Sequence, residues 1–567
     1  METQTCKGKL LNKRIDEATD EYICFFDASE KADREFAEKA ISLLKKYDAD
    51  IAAEVHTEWL PPKRMTFSYK SCPGRIMTMA DPGLRRMVFR TGFLRDKGLR
   101  FDESLPACEL AFAALSLLKA EKIVPVSSIE EEPSYADDLG PNELFEAVES
   151  VVTQAEELPY YNEIEMSVKR FAIKNLLRGM RCAEAGYYGR VHELFSSEGY
   201  SQICFRDFDD DLEYLKFDAI RGCSYADYAA AASAKLAVSF TSYPARIAYA
   251  ADIVSQMHAQ TLKPDAVFLT LCKEEFPDGE GSLPEDLHRR ISDGMVNLIW
   301  CDVNIKAHKK YLYAFRELDG YAVVTVDDDI KFRSDILERL WYSYLRYPEA
   351  VSAIRTHYMT VGTDGKVMPY ENWVKDTGMV IHSPSHRLLA TGGAGALYPP
   401  SVLRNNEMLQ ESLMMELAPL ADDLYLKAME LTEDVPVVRA SAAGGLRYLG
   451  DTQEDKLWDI NIEENDRQLK QLLGYISEHC PEISRYEEAA FLSDEARIAE
   501  SSDLSEYIAN VRRCDNLRTR ELRGQLNKVR RESLEKDALI KQLQKENERL
   551  RKEADSGWLK KIMRKTK

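Results

Sequence analysis

The stretch Tyr321–Phe332 reads YAVVTVDDDIKF, in which five residues of strand character run into Asp327, Asp328 and Asp329. Adjacent carboxylates repel, so a cluster at the end of a buried strand calls for a compensating charge. A divalent cation is the usual one, because Mg and Mn prefer oxygen ligands and bridge carboxylates to phosphates. Side chains alternate along an extended segment, so Asp327 and Asp329 are expected to point the same way. Asp328 is expected to point elsewhere, toward a ribose or a backbone amide. An acidic triplet alone is a weak signal, since a solvated turn would read the same. A second pair, Asp422–Asp423, precedes the helical segment LYLKAMEL. Acids are favoured in the first turn of a helix, so this pair reads either as a cap or as chemistry.

The elements that must position these acids follow from the pattern around them. KLAVSFTSY, DAVFLTL, VNLIWCDV and AVVTVDDD read as strands. RIAYAADIVSQMHAQ, LPEDLHRRISD and KKYLYAFREL read as the helices between them. Strands alternating with helices imply a largely parallel sheet covered on both faces. Ligands of such sheets sit beyond the carboxyl ends of the strands, where the triplet lies.

Near the start, YICFFDA, KADREFAEKAISLLKKY and ADIAAEV give a β-α-β pattern. The stretch MVFRTGFLRDKGLRFDESLPACELAFAALSLLKAEKIVPV reads as a short helix, a loop, a longer apolar helix and a strand. Residues 141–200 read as mostly helical, and FRDFDDDLEY at 205–214 is expected to end that region. Toward the other end, Leu522, Leu526, Val529, Ile540, Leu543 and Leu550 fall on four-three spacing, with Ser533, Lys536 and Asn547 in the remaining seam positions. This predicts a modest coiled coil with Asn547 setting register, against the alternative of a single solvated helix. The last twelve residues, SGWLKKIMRKTK, carry five basic and no acidic side chains, and Trp558, Leu559, Ile562 and Met563 share a helical face. Such an end suits the surface of an anionic membrane; a frayed soluble tail is the alternative.

The bulk numbers set limits. With 567 residues, 45% hydrophobic and 30% charged, the chain is an ordinary globular protein of two or more domains. A net charge of −20 argues against general nucleic-acid binding. Eleven cysteines are scattered without zinc-type or paired spacing, as expected in a reducing cytosol. The polar N-terminus predicts no signal peptide, and no apolar run predicts a transmembrane helix, so membrane contact is expected to be peripheral.

In order along the chain stand SFTSYPAR (239–246), the KK of Lys309–Lys310, VDDDI (326–330), GGAGALYPP (392–400) and ADDLYL (421–426). This order resembles the family 2-like nucleotide-sugar glycosyltransferases of the GT-A fold, and more closely a bacterial subgroup that carries the four of these motifs other than the lysine pair, over residues 236–450. The resemblance implies an α/β, Rossmann-like domain with a mixed, mainly parallel sheet. It implies donor contacts from Thr241, Ser242, Arg246, Asp302, Lys309, Lys310, Asp328, Gly392, Gly393 and Gly395. It also implies a Mn or Mg ion on Asp327 and Asp329, and a catalytic base at Asp423 or Asp422, with Asp423 preferred. A metal and a lysine suit a departing nucleoside diphosphate, and a carboxylate can take the proton of an acceptor hydroxyl. One base without a covalent intermediate gives inversion. His357, His382 and Trp373 lie between the motifs and are expected to be structural, with Trp373 as a sugar-stacking platform the alternative.

Residues 9–125 resemble the same family in damaged form. Asp27-Ala28-Ser29-Glu30 stands where an Asp-x-Asp-Asp is expected, and Glu109 is followed by Leu110 where an aspartate is expected. The first strands of the family's domain are missing ahead of it, so a remnant is expected, kept for packing or acceptor positioning, or a gene truncated at its start. The expected organisation is a partial α/β domain (1–130), a helical region (131–235), the GT-A domain (236–450), a helical linker (451–505), the coiled coil (506–555) and the basic tail (556–567).

The leading expectation is a hexosyltransferase-like enzyme using a nucleotide-sugar donor, UDP-sugars first. It would extend a glycan or lipid-linked glycan for the cell envelope or capsule, as a possible homodimer at the inner membrane face. The rival is a non-catalytic carbohydrate-binding or assembly subunit. A nucleotidyltransferase ranks last, for want of a Gly- and Lys-containing phosphate loop. Five cations at up to about 1 kcal/mol each give weak, reversible attachment to an anionic bilayer. Deleting residues 556–567 is therefore expected to move the protein from membrane to soluble fractions on sedimentation; unchanged fractionation would contradict the anchor.

Overall fold

A computed structural model describes residues 5–25, 31–55, 65–79, 84–127, 139–180, 184–360, 367–376, 384–441, 445–449 and 457–480. The expected coiled coil and basic tail, Asp27–Glu30 and His382 lie outside the described residues.

The chain is α/β with two main sheets. The first holds β1 (Tyr22–Cys24), β2 (Ile51–Val55), β3 (Met87–Arg90) and β4 (Ile123–Ser127), in the order β1-β3-β2-β4. The helix Lys31–Tyr47 lays Phe36, Ala40 and Leu44 on one face, against Ala52, Val88 and Val124. The helix Cys108–Lys119 covers the other face. It is apolar all round because helices also pack on its outer side, Pro141–Glu156 among them. Strand β3 was not expected: MVFR is four residues long, and it runs directly into the short helix Thr91–Asp96.

Between the sheets lie the helices Pro141–Glu156, Tyr161–Gly179, Ala185–Ser196, Asp211–Gly222 and Tyr225–Ala232. The polar patch at 205–214 does not end this region. Asp210 accepts from the Leu212 amide (3.0 Å) and so starts the helix Asp211–Gly222 as its N-cap. Asp210, Asp211 and Asp335 surround the guanidinium of Arg339, which is buried on the helix Ile336–Arg346. Three carboxylates around one buried cation thus join the helical layer to the second sheet.

That sheet contains β5 (Lys235–Thr241), β6 (Ala266–Cys272), β7 (Asn297–Cys301), β8 (Tyr321–Thr325), β9 (Val351–Ala353), β12 (Ala396–Tyr398) and β13 (Val437–Arg439). Its order is β13-β9-β12-β8-β5-β6-β7, and β10 (Thr356–Tyr358) and β11 (Leu388–Ala390) form a separate antiparallel pair. Strands β5 to β8 coincide with the four strands read from the sequence. They pair in parallel. Strand β12 is antiparallel to both β8 and β9, which makes the sheet mixed.

The two sheets share a pattern. In the second, β8, β12, β9 and β13 pair antiparallel, antiparallel, parallel. In the first, β1, β3, β2 and β4 pair in the same sequence of directions. The connecting helices correspond as well. Lys31–Tyr47 lies between β1 and β2, as Ile336–Arg346 lies between β8 and β9. Cys108–Lys119 lies between β3 and β4, as Asp422–Thr432 lies between β12 and β13. Among the described residues the first unit has no counterpart of β5, β6 and β7.

Candidate functional site

The acidic triplet begins two residues beyond the end of β8. Its backbone is held from two sides: the Val326 amide donates to the Ser239 carbonyl (3.2 Å), and the Asp327 amide to the Gly393 carbonyl (3.1 Å). The strand stops at Thr325 and the chain turns at residues 328–329. The extended segment therefore ends before the triplet is complete, and within the protein Asp327 and Asp329 take different cationic partners. Asp327 meets Lys310 (2.9 Å). Asp328 accepts from the Ser242 hydroxyl (2.5 Å) and, at 3.4 Å, from Arg246. Asp329 pairs with the same Arg246 guanidinium (2.9 Å). Two cations from the protein thus offset three carboxylates. Burial raises the Asp328 carboxyl to about 6, against the pull of Ser242 and Arg246. Asp329 is raised in the same way, by burial and then by Asp327.

Lys310 is the hub. It lies in the first turn of the helix Lys309–Glu317, which the Ser239 hydroxyl fixes by donating to the Lys310 carbonyl (2.6 Å). Its side chain is 3% exposed, and its Nζ lies 2.9 Å from Asp327 and 2.7 Å from Asp422. Burial alone would expel the proton, yet Asp327, Asp422 and Asp423 outweigh it and hold the ammonium well above its ordinary range. Lys309, the next residue round the helix, turns away and pairs with Glu275, whose role the sequence did not signal.

Asp422 and Asp423 open the helix Asp422–Thr432, but the residue at the cap is Ala421 and no side chain caps the helix. Both carboxylates instead face the cluster. Burial opposes the charge of Asp422, but Lys310 and then His308 more than compensate, so its carboxyl lies below the usual value. Asp423 accepts from the Gly392 amide (2.9 Å) and is pushed up to about 7, by burial and by the charge of Asp422. Two neighbouring carboxyls driven in opposite directions form an ionised partner and a group that exchanges its proton near neutrality. Beneath them the buried His308 donates from Nε2 to the Ala418 carbonyl (2.8 Å), which leaves Nδ1 to accept from the Tyr311 hydroxyl (2.6 Å). The glycine loop closes the floor. A Cβ at Gly393 would overlap the Asp327 carboxylate, and one at Gly392 would lie 3.1 Å from Asp423 Oδ1. Gly395, at φ +110°, packs near Ile354 and Leu340.

The structure therefore gathers Ser242, Arg246, Lys310, Asp327, Asp328, Asp329, Gly392, Gly393, Asp422 and Asp423. Thr241 donates to the Thr270 carbonyl (2.7 Å) on the neighbouring strand. Asp302, 83% exposed, pairs with Lys273 (2.7 Å) beyond the end of β7. Trp373 is 0% exposed and donates from its indole to the Met368 carbonyl (2.8 Å), so it is core and not a stacking platform. His357 is buried; its Nδ1 accepts from the Asp376 amide (3.1 Å), and burial lowers its pKa to about 3. Residues 445–449 were not expected here. The Leu449 amide donates to the Asp329 carbonyl and the Lys331 amide to the Arg447 carbonyl, both at 2.7 Å. This lays Tyr448 along the triplet, from more than a hundred residues away.

The first unit keeps part of the arrangement. Lys7, on the helix Thr5–Glu17 before β1, pairs with Glu109 (2.8 Å) at the start of Cys108–Lys119. That repeats the placement of Lys310 and Asp422. Leu110 is buried in the core.

For a divalent cation the fit is partial. Among the described residues no three His, Cys, Asp or Glu side chains gather as a ligand set. Asp327 keeps 43% of its side chain exposed, and its charge is felt at Asp329. These two carboxylates could take a cation whose remaining ligands are substrate oxygens.

No protein-family model matches this chain, and no curated protein does. Solved structures similar to it include S. aureus TarS 1–349, at 16% identity over 39% of this chain and a TM-score of 0.23. TarS 1–349 in complex with UDP gives 15% identity over 39% and a TM-score of 0.21. The match spans 61% and 62% of those chains. TM-scores this low carry nothing about function. Among the described residues no helix is long and apolar enough to cross a membrane.

The raised carboxyls have a consequence for stability. Asp328 (about 6), Asp423 (about 7) and Glu430 (about 7, buried against Lys427) bind protons more tightly folded than unfolded. Their contribution is present at low pH and is lost as pH rises from the ordinary carboxylate range through about 7. Asp423→Asn removes one such group while its Oδ1 can still accept from Gly392. The Tm of the variant minus that of the parent is expected to increase from about pH 5 to about pH 8 in scanning calorimetry. A difference that is constant or shrinks would contradict the assignment.

Proposed function

We propose that residues 236–450 form a GT-A glycosyltransferase domain that moves a sugar, with inversion, from a nucleotide-diphosphate donor to a glycan acceptor. The observation that carries this reading is the cluster Asp423–Asp422–Lys310–Asp327, a carboxyl that titrates near neutrality coupled to an acidic triplet at the end of a parallel strand.

The chemistry assigns each residue a task. Asp423, ionised, takes the proton of the acceptor hydroxyl as that oxygen bonds to the anomeric carbon. The bond from that carbon to the diphosphate oxygen breaks, and the electron pair leaves with the diphosphate. Asp422 stays ionised beside Lys310, and its charge keeps Asp423 basic enough for the transfer. Ser242 and Arg246 hold Asp328 and Asp329 in place at the donor side. Asp327 and Asp329 are the residues that would hold Mn or Mg, which supplies neutralisation of the charge developing on the departing diphosphate. Thr241, Asp302 and Gly395 are proposed to contribute to donor binding through the strand ends and loop that carry them, and Lys309 through the helix start it shares with Lys310. A UDP-sugar is the favoured donor and a glycan or lipid-linked glycan of the cell envelope or capsule the acceptor. The work is placed at the inner face of the membrane, with dimerisation through residues 506–555.

Asp423→Asn is expected to lower the turnover of a donor–acceptor pair by about 10²–10⁴-fold and to leave donor affinity unchanged. In the parent, the rate should rise with pH up to a plateau above about 7, set by ionisation of Asp423. Full turnover in Asp423→Asn, or a parent rate without that rising limb, would contradict the role.

A further inference from the structure

One wall beside Asp423 carries charge of the opposite sign to the rest of the site. The Arg355 carbonyl accepts from the Thr391 amide (3.0 Å) and hydroxyl (3.2 Å). The next residue, Gly392, donates its amide to Asp423. Arg355 is therefore fixed within one hydrogen-bonded step of the loop that holds the base. Its side chain is 20% exposed, and its one ion pair among the described residues, with Asp376, is long at 3.8 Å. Among the described residues its guanidinium donates no hydrogen bond.

The Asp376 carboxylate is already engaged by Arg439 (2.8 Å) and the Gly445 amide (3.0 Å), which leaves Arg355 weakly compensated. Beside it stands Tyr370. Its ring has the Lys375 ammonium 2.9 Å from its centroid, and its amide donates to Asp466 (2.5 Å). The Tyr370 hydroxyl is raised by burial, then by Asp423, and is lowered by Arg355, so it feels both. Among the described residues the charges at this wall are Arg355, Lys375 and Arg439 against Asp376 and Asp466, with Asp423 at one edge and, through Tyr448, which feels Arg355 as well, Asp327, Asp329 and Arg246 at the other. Among the described residues the Arg355 guanidinium has only the long contact to Asp376, a carboxylate shared with Arg439, so its N–H donors stay available to an anion on a ligand.

We infer that Arg355, with Tyr370 and Lys375, forms a subsite for an acidic group on the acceptor, so that the acceptor is an anionic glycan bearing phosphate or carboxylate. This rests on the transferase reading above. Arg355 and Asp423 both act on the Tyr370 hydroxyl, and the Arg355 backbone is tied to the loop whose Gly392 amide Asp423 accepts from, so the proposed subsite adjoins the proposed base; guanidinium binds either oxyanion through paired N–H donors.

The test is a calorimetric titration of the full chain, with and without UDP and Mn. The probes are a phosphorylated oligosaccharide, a uronate-containing one and a neutral one of equal length. At least one acidic probe is expected to bind and the neutral one not. Arg355→Gln should weaken that binding tenfold or more, and Arg355→Lys should retain part of it. UDP affinity should be unchanged in both variants, and circular dichroism should show both folded. Phosphate against carboxylate preference identifies which acid is read. Equal binding of the neutral probe, no binding of either acidic probe, or unchanged affinity in Arg355→Gln would overturn the subsite. Parallel loss of UDP binding in Arg355→Gln would also overturn it, by assigning the guanidinium to the donor diphosphate. If the parent binds an acidic probe through Arg355 but never UDP, the subsite stands and the transferase reading fails.

Discussion

The site depends on a single buried ammonium. Lys310 is surrounded by Asp327 and Asp422, with Asp423 close behind, and none of these acids could share so small a volume without it. An ion buried in this way is tolerated because it is paired on more than one side. Its position follows from ordinary elements: the helix Lys309–Glu317 packs against β5 and β6, and a hydroxyl of β5 ties its first turn down. The same charge sets the chemistry. It keeps Asp422 ionised, and the ionised Asp422 joins with burial to push Asp423 toward neutrality.

Much of this was legible in the residue order, because periodicity reports burial. β5 to β8 and their helices are long, strongly patterned and local, and each coincides with a predicted segment. The four motifs also converge in space, with Ser242 and Arg246, the triplet, the glycines and the aspartate pair brought together. The failures have physical causes. The separate partners of Asp327 and Asp329 have no strand-pattern signal, because the chain leaves strand geometry beyond Thr325. Adjacent lysines look alike in sequence, yet successive residues on a helix point about 100° apart, which sends Lys309 to Glu275 and Lys310 to the acids. Tyr448 and Arg355 carry no local signal, since tertiary pairing alone brings them to the site.

The first unit gains meaning from the second. The same succession of strand directions and the same placement of helices occur twice, and a lysine–carboxylate pair recurs at the matching corner as Lys7–Glu109. What recurs is the half of the sheet next to Asp422 and Asp423. Strands β5 to β7, which carry Ser242 and Arg246 in their connections, have no described counterpart there. Leu110, in the apolar core, fills a place where the resemblance implies an acid.

The central claim is that the acidic triplet receives a nucleotide sugar together with a cation. The most direct measurement is calorimetric titration of the full chain with a panel of UDP- and other nucleotide sugars, with and without Mn, beside the double variant Asp327→Asn/Asp329→Asn. The account predicts Mn-dependent binding of a UDP-sugar that the double variant loses while remaining folded. A folded parent protein that binds no donor with any metal would contradict it.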